Sequence, residues 1–147
     1  FLILPEIIDR YECTVVVMDM DTLLVTAADD FQSFLEGGDV GFITDEKRMQ
    51  FCPWRTVTAG STFFSQSHGA RLFLDSLVDN IRRGWQWRYT NWFIDQNALY
   101  ASFVESDSEK IFIKNMGRTD AIHISGEMRK RLLLSEIDKA DALGQHC

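Results

Sequence analysis

A chain of 147 residues with a formal net charge of −7 and a pI near 4.9 is one domain's worth of polymer, long enough for a single sizeable core. The excess of acid argues against nucleic acid or an anionic membrane as the main partner, because both reward dense Lys and Arg. No apolar run approaches the ~18 to 20 residues that span a bilayer, and no basic, apolar and small-residue leader is present, so the expectation is a soluble, cytoplasmic chain.

From Leu2 to Tyr11 the residues Leu4, Ile7 and Ile8 recur at helical spacing, with Pro5 tolerated in a first turn, so a short helix is expected. Cys13 follows; with Cys52 and Cys147 it makes three widely spaced cysteines without a CxxC pair. That pattern points to neither a disulfide framework nor a structural zinc site, and it fits a reducing compartment.

The run from Thr14 to Val25 holds the strongest local signal. Val15, Val16 and Val17 are β-branched and continuously apolar, which predicts a central strand buried on both faces of a parallel or mixed α/β sheet. It ends in Asp19 and Asp21. Ligands of open α/β sheets bind outside the carboxyl ends of the strands, and Mg²⁺ or Mn²⁺ takes hard oxygen ligands. The pair is therefore a candidate cation site. The alternative is that one Asp caps the next segment and the other is solvated, although two desolvated like charges then need other compensation.

Residues 27–35 read as a helix stopped by Gly37 and Gly38, and residues 39–43 as a short strand before a polar loop that runs to Pro53. Residues 56–64 are β-rich around Gly60, which marks a bulge, a close approach by another group, or a packing glycine. Ser67 is placed to cap the best helix, whose apolar face is Ala70, Leu72, Phe73, Leu74, Leu77, Val78 and Ile81, with Gly84 ending it. The aromatic stretch from Trp85 to Phe93 has no helical periodicity; its rings suit either a sugar face or a core or interface.

Residues 95–104 read as a helix with Asp95 as its N-cap, and residues 110–114 and 121–124 as short strands. His123 precedes Ser125-Gly126 and the basic cluster Arg129-Lys130-Arg131, which opens an amphipathic helix to about Leu143. A His at a strand end before a Gly turn is placed either to bind metal, with phosphate at the Gly and helix start, or to serve as a satisfied structural residue.

Taken in order, these blocks resemble the catalytic domain of GT-A-type glycosyltransferases, the nucleotide-diphospho-sugar transferases, and above all the glycogenin-like and bacterial galactosyltransferase-like group. Leu4-Pro5-Glu6-Ile7-Ile8 followed by Val15 to Val25 is similar to that family's helix and Asp-x-Asp strand. Thr58-Ala59-Gly60 resembles its Asn-Ala/Ser-Gly strand beside the donor sugar, with Thr58 standing where Asn is usual. Asp95-Gln96 resembles the helix start near the reacting sugar carbon. His123-Ile124-Ser125-Gly126-Glu127-Met128-Arg129 follows the spacing of the terminal His-Phe-x-Gly-x-x-Lys pattern, with Arg129 in place of Lys and Lys130 beside it.

The resemblance implies an α/β fold, the C-terminal part of a GT-A Rossmann-like mixed sheet flanked by helices, with residues 1–147 as a single partial domain. The family's strand is preceded by βα units that bind the nucleobase and ribose, whereas Asp19 comes early in this sequence. The chain is thus expected to be part of a longer protein or a reduced relative. The implied function is metal-dependent sugar transfer from a nucleotide-diphosphate donor to a glycan, protein or small-molecule acceptor. Asp19, Asp21 and His123 would hold Mn²⁺ or Mg²⁺; Thr58, Ala59, Gly60, Gly126, Arg129 and Lys130 would bind substrate; Asp95 and Gln96 would be catalytic. Two readings compete. One is a non-catalytic structural or interaction domain derived from that fold. The other is a haloacid-dehalogenase-type phosphatase with Asp19 as nucleophile, although Leu23 stands where that family has its Thr.

Overall fold

Val57–Phe64 (β3) is the strand against which the sheet is assembled. The computed structural model describes residues 1–19, 28–45, 55–86 and 94–116. Within them the other elements are α1 (Leu4–Tyr11), β1 (Val15–Met18), α2 (Ala28–Leu35), β2 (Val40–Thr44), α3 (His68–Gln86), α4 (Ile94–Glu105) and β4 (Ile113–Asn115). The strands lie in the order β1-β3-β2-β4. β1 and β2 both run antiparallel to β3, and β4 runs parallel to β2. Among the described residues the fold is mixed α/β, a four-stranded mixed sheet with helices on both faces.

The two faces follow from the alternation of side chains along a strand. Phe64, Val40 and Phe42 join Leu4 and Ile8 of α1, Phe73, Leu74, Leu77 and Ile81 of α3, and Ala98 and Leu99 of α4 in the main core. Phe63, one residue from Phe64, points the other way and packs with Ile43, Met116 and the Phe34-Leu35 end of α2. Each fully buried Leu, Ile or Phe contributes about 1.5–3 kcal/mol of transfer free energy, so α3, with its long buried stripe, supplies the largest helical share of the core.

The helix boundaries have local causes. Pro5 sits in the first turn of α1, and Glu12 closes that helix in the left-handed region at φ 46°, its N–H donating to the Ile8 carbonyl. Ser67 caps α3 as expected: its hydroxyl accepts the Ala70 N–H at 3.1 Å. Lys114 Nζ donates to the Phe34 carbonyl, placing a cation at the C-terminal end of α2, where the helix dipole favours one.

Four expectations change. β1 is not central: among the described strands it lies at the sheet edge, and all four of its residues are only partly buried. An apolar run identifies a strand whose two faces are covered, but it carries no information about lateral neighbours. α3 does not stop at Gly84 but continues to Gln86; the glycine instead lets the start of α4 approach, since a Cβ there would stand 3.3 Å from the Ile94 side chain. Asp95 lies inside the first turn of α4, not before it. The strand expected at 110–114 begins only at Ile113, because the Asp107 carbonyl accepts the N–H groups of Lys110 (3.0 Å) and Ile111 (2.9 Å) and keeps them in a turn. The elements expected at 121–124 and from Arg129 to about Leu143 lie outside the described residues, as do residues 87–93 of the aromatic stretch.

Candidate functional site

At the carboxyl end of β1 the chain reaches Asp19, whose N–H still donates to the Gly60 carbonyl at 2.9 Å. β1 and β3 therefore remain in register to this point, and Asp19 faces Gly60 directly across the ladder. Gly60 has no side chain, and the Asp19 carboxylate fills the space: a Cβ on Gly60 would lie 2.7 Å from Oδ2. Among the described residues the Asp19 carboxylate has no ion-pair partner. It is an exposed hard-oxygen donor at a strand end, which suits a Mg²⁺ or Mn²⁺ ligand.

β3 slips against its other neighbour at the same place. Phe42 pairs with Thr62, but the next residue, Ile43, pairs with Thr58, so Ala59, Gly60 and Ser61 are passed over. This is the bulge or close approach that an isolated strand glycine signals, and here it is both. The hydrogen bonds give the reason. The Thr56 carbonyl accepts from Asp45 N on the β2 side, whereas the Gly60 carbonyl accepts from Asp19 N on the β1 side. In an unbroken strand, residues four apart present their backbone groups to the same edge, so the chain must change edge between them.

Gln96 is fitted to that slip. Its Oε1 accepts the Ala59 N–H at 2.9 Å, and its Nε2 donates to the Val57 carbonyl. Ala59 is 8 % exposed, so without this partner its N–H would be left nearly dry and unpaired, a cost of about 1–3 kcal/mol. Asp95 secures the helix that carries Gln96: its Oδ1 accepts the Gln96 backbone N–H at 2.7 Å, one of the donors that a helix start leaves unsatisfied.

The structure thus brings together Asp19, Thr58, Ala59, Gly60 and Gln96, which the sequence had named from three separate blocks, with Asp95 next to them in the chain. Asp21, His123, Gly126, Arg129 and Lys130 lie outside the described residues. Asp19 is the one predicted metal ligand inside them, and among the described residues no three His, Cys, Asp or Glu side chains come together.

Sequence reasoning passed over Asp39, the polar hub of the opposite end of the sheet. Its Oδ1 accepts the Ser67 hydroxyl at 2.5 Å, its Oδ2 accepts the Phe112 N–H at 2.7 Å, and its backbone bonds Phe112 and Ser65. The available signal was an Asp between a glycine pair and a strand, a position that favours side chain to backbone bonding. A cleft of about 830 Å³ opens beside it, between the α1–β1 turn and the end of α2, with Glu12, Cys13, Gln32 and Glu36 on its walls. It lies at the amino end of β1, away from Asp19, and the Asp39, Ser65 and Ser67 side chains at its rim are already bonded to one another or to backbone.

No helix among the described residues is long and apolar enough to cross a membrane. Comparison with family models, curated proteins and solved structures gives no match.

Proposed function

We propose that this chain is a metal-dependent glycosyltransferase, or the part of one that holds the metal and diphosphate, built as the C-terminal portion of a GT-A-type domain. One observation carries the reading: Asp19, the Thr58–Gly60 segment and the Asp95-Gln96 helix start, far apart in sequence, meet at the carboxyl end of one strand. These are three of the four blocks on which the resemblance rests, and open α/β sheets bind ligands at that end.

In this reading Asp19 and Asp21, with His123, would hold Mn²⁺ or Mg²⁺. The chemistry supplied there is electrostatic, positive charge set against the departing nucleoside diphosphate. Arg129, Lys130 and the Gly126 backbone would bind the diphosphate, and Thr58, Ala59 and Gly60 would line the donor sugar. Asp95 would orient the sugar at its reacting carbon. The bare Cα of Gly60 leaves the Asp19 carboxylate room to lie against β3, so that its oxygens stay at the strand end.

The test is a melting-temperature titration with Mn²⁺, with and without UDP, on the chain and on its Asp19→Asn form. A ligand that binds only the folded state raises the midpoint, by the equivalent of about 2.7 kcal/mol at a hundred times its Kd. A rise that needs Mn²⁺, grows with UDP and vanishes in Asp19→Asn supports the transferase reading. No rise in the unsubstituted chain favours the non-catalytic domain.

A further inference from the structure

The Asp95-Gln96 resemblance points to a pair near the reacting sugar, yet the Gln96 carboxamide is engaged with the protein's own backbone. It takes the N–H of Ala59 and the C=O of Val57, the two groups that flank Thr58. A strand lying beside β3 would bond that same pair, the carbonyl of one residue and the N–H of the next but one.

The vacancy that Gln96 fills has a definite origin. Thr58 pairs with Ile43 of β2, so Val57 and Ala59 present their groups to the opposite edge, the β1 side. β1 ends at Met18, and Asp19 makes the next backbone bond of that ladder, to Gly60. Beyond that bond the carboxamide occupies the next step of the ladder.

We propose that Gln96 is a positioning residue, its carboxamide replacing the missing strand step and so fixing the Ala59–Gly60 bulge under the Asp19 carboxylate. It acts on the metal ligand through β3. Removing it frees Ala59 and Gly60, loosens the Asp19 N–H bond to Gly60, and lets the carboxylate leave the strand end. The consequence for Mn²⁺ rests on the functional reading above, whereas the consequence for the backbone does not.

The experiment is amide hydrogen exchange by NMR on the full chain, comparing wild type, Gln96→Ala, Gln96→Glu and Ser102→Ala. Ser102 is buried on the same helix and bonds Ala98 and Asn80, away from β3, so its truncation reports general destabilisation. Gln96→Ala is expected to speed exchange at Ala59 and Asp19 about fivefold to tenfold beyond any change at Phe64, the equivalent of one hydrogen bond. Ser102→Ala is expected to move all three amides by a common factor. Gln96→Glu retains an acceptor for Ala59 N–H and should restore part of its protection. An even change across the three amides in Gln96→Ala would overturn the proposal.

Mn²⁺ added to the same samples gives the second reading, through paramagnetic broadening of the Asp19 amide. Broadening in wild type that needs about tenfold more Mn²⁺ in Gln96→Ala supports positioning, a loss equivalent to about 1.4 kcal/mol. Equal broadening in the two overturns positioning and leaves the metal reading intact. No broadening in wild type defeats the metal reading, while the exchange pattern still decides the clamp.

Discussion

The Asp19 carboxylate lies where Gly60 has no side chain, 2.7 Å from the position a Cβ would take. The two groups share one space, and the more mobile must yield. Asp19 is exposed, so Gly60→Ala should change stability by no more than about 1 kcal/mol while displacing the carboxylate and weakening the Mn²⁺ response. Gly41→Ala is the contrast. There a Cβ would meet three atoms of the fully buried Phe63 ring, and overpacking a rigid core costs about 1–3 kcal/mol or more. Urea midpoints with parallel Mn²⁺ titrations check both; a Gly60→Ala chain that unfolds as readily as Gly41→Ala contradicts the account.

Thr62 is fully buried on β3 between Val17 and Phe42, and its hydroxyl has no hydrogen-bond partner among the described residues. Valine has nearly the same shape without the oxygen. Thr62→Val is expected to raise stability by about 1 kcal/mol, because it removes the desolvation cost of an unsatisfied group and keeps a β-branched side chain in the strand. A lowered urea midpoint would mean that the hydroxyl has a role in the native state.

Asp39 joins β2 to α3 and to the segment entering β4. Truncation to Ala removes the acceptor of the Phe112 N–H and of the Ser67 hydroxyl and a carboxylate from the start of α3, where the helix dipole favours one. The expected loss is about 1.5–3 kcal/mol, read from chemical denaturation. Ser67→Ala should cost less, about 0.5–2 kcal/mol, since Asp39 then keeps its bond to Phe112.

Asp107 carries the clearest pH signature. Its pKa is held below the ordinary carboxylate value by the hydrogen bond from Lys110 Nζ and then by the Glu109 N–H. A lowered folded pKa stabilises the fold above the unfolded value, and that contribution is lost as pH falls through the folded one. Asp107 is exposed, so the effect is small and salt-sensitive. Asp107→Asn should unfold slightly more easily than wild type near neutral pH, the difference vanishing as the solution is acidified and shrinking in high salt. A gap that persists in acid would assign the effect to the turn and not to the charge.

Much of the local structure was legible in the sequence. Leu4, Ile7 and Ile8 gave α1, the valines gave β1, and Ser67 with the stripe from Ala70 to Ile81 gave α3, because side-chain periodicity and capping act over a few residues. Gly60 was legible as an irregularity in its strand. Its occupant was not, since that depends on which residue of β1 comes opposite. The same limit applied to Asp39, whose partners Ser67 and Phe112 belong to other elements of the chain.

The amino-acid order by itself determined where α1, β1 and α3 form and which face of the two helices is apolar, because those are short-range consequences of backbone sterics and side-chain spacing. Tertiary structure alone decided that β3 runs antiparallel between β1 and β2, that β1 lies at the edge of the described sheet, and that Gln96 closes the ladder where β1 ends. Those outcomes turn on which distant backbone groups find partners, and a buried N–H or C=O can be satisfied by any donor or acceptor the fold brings within reach.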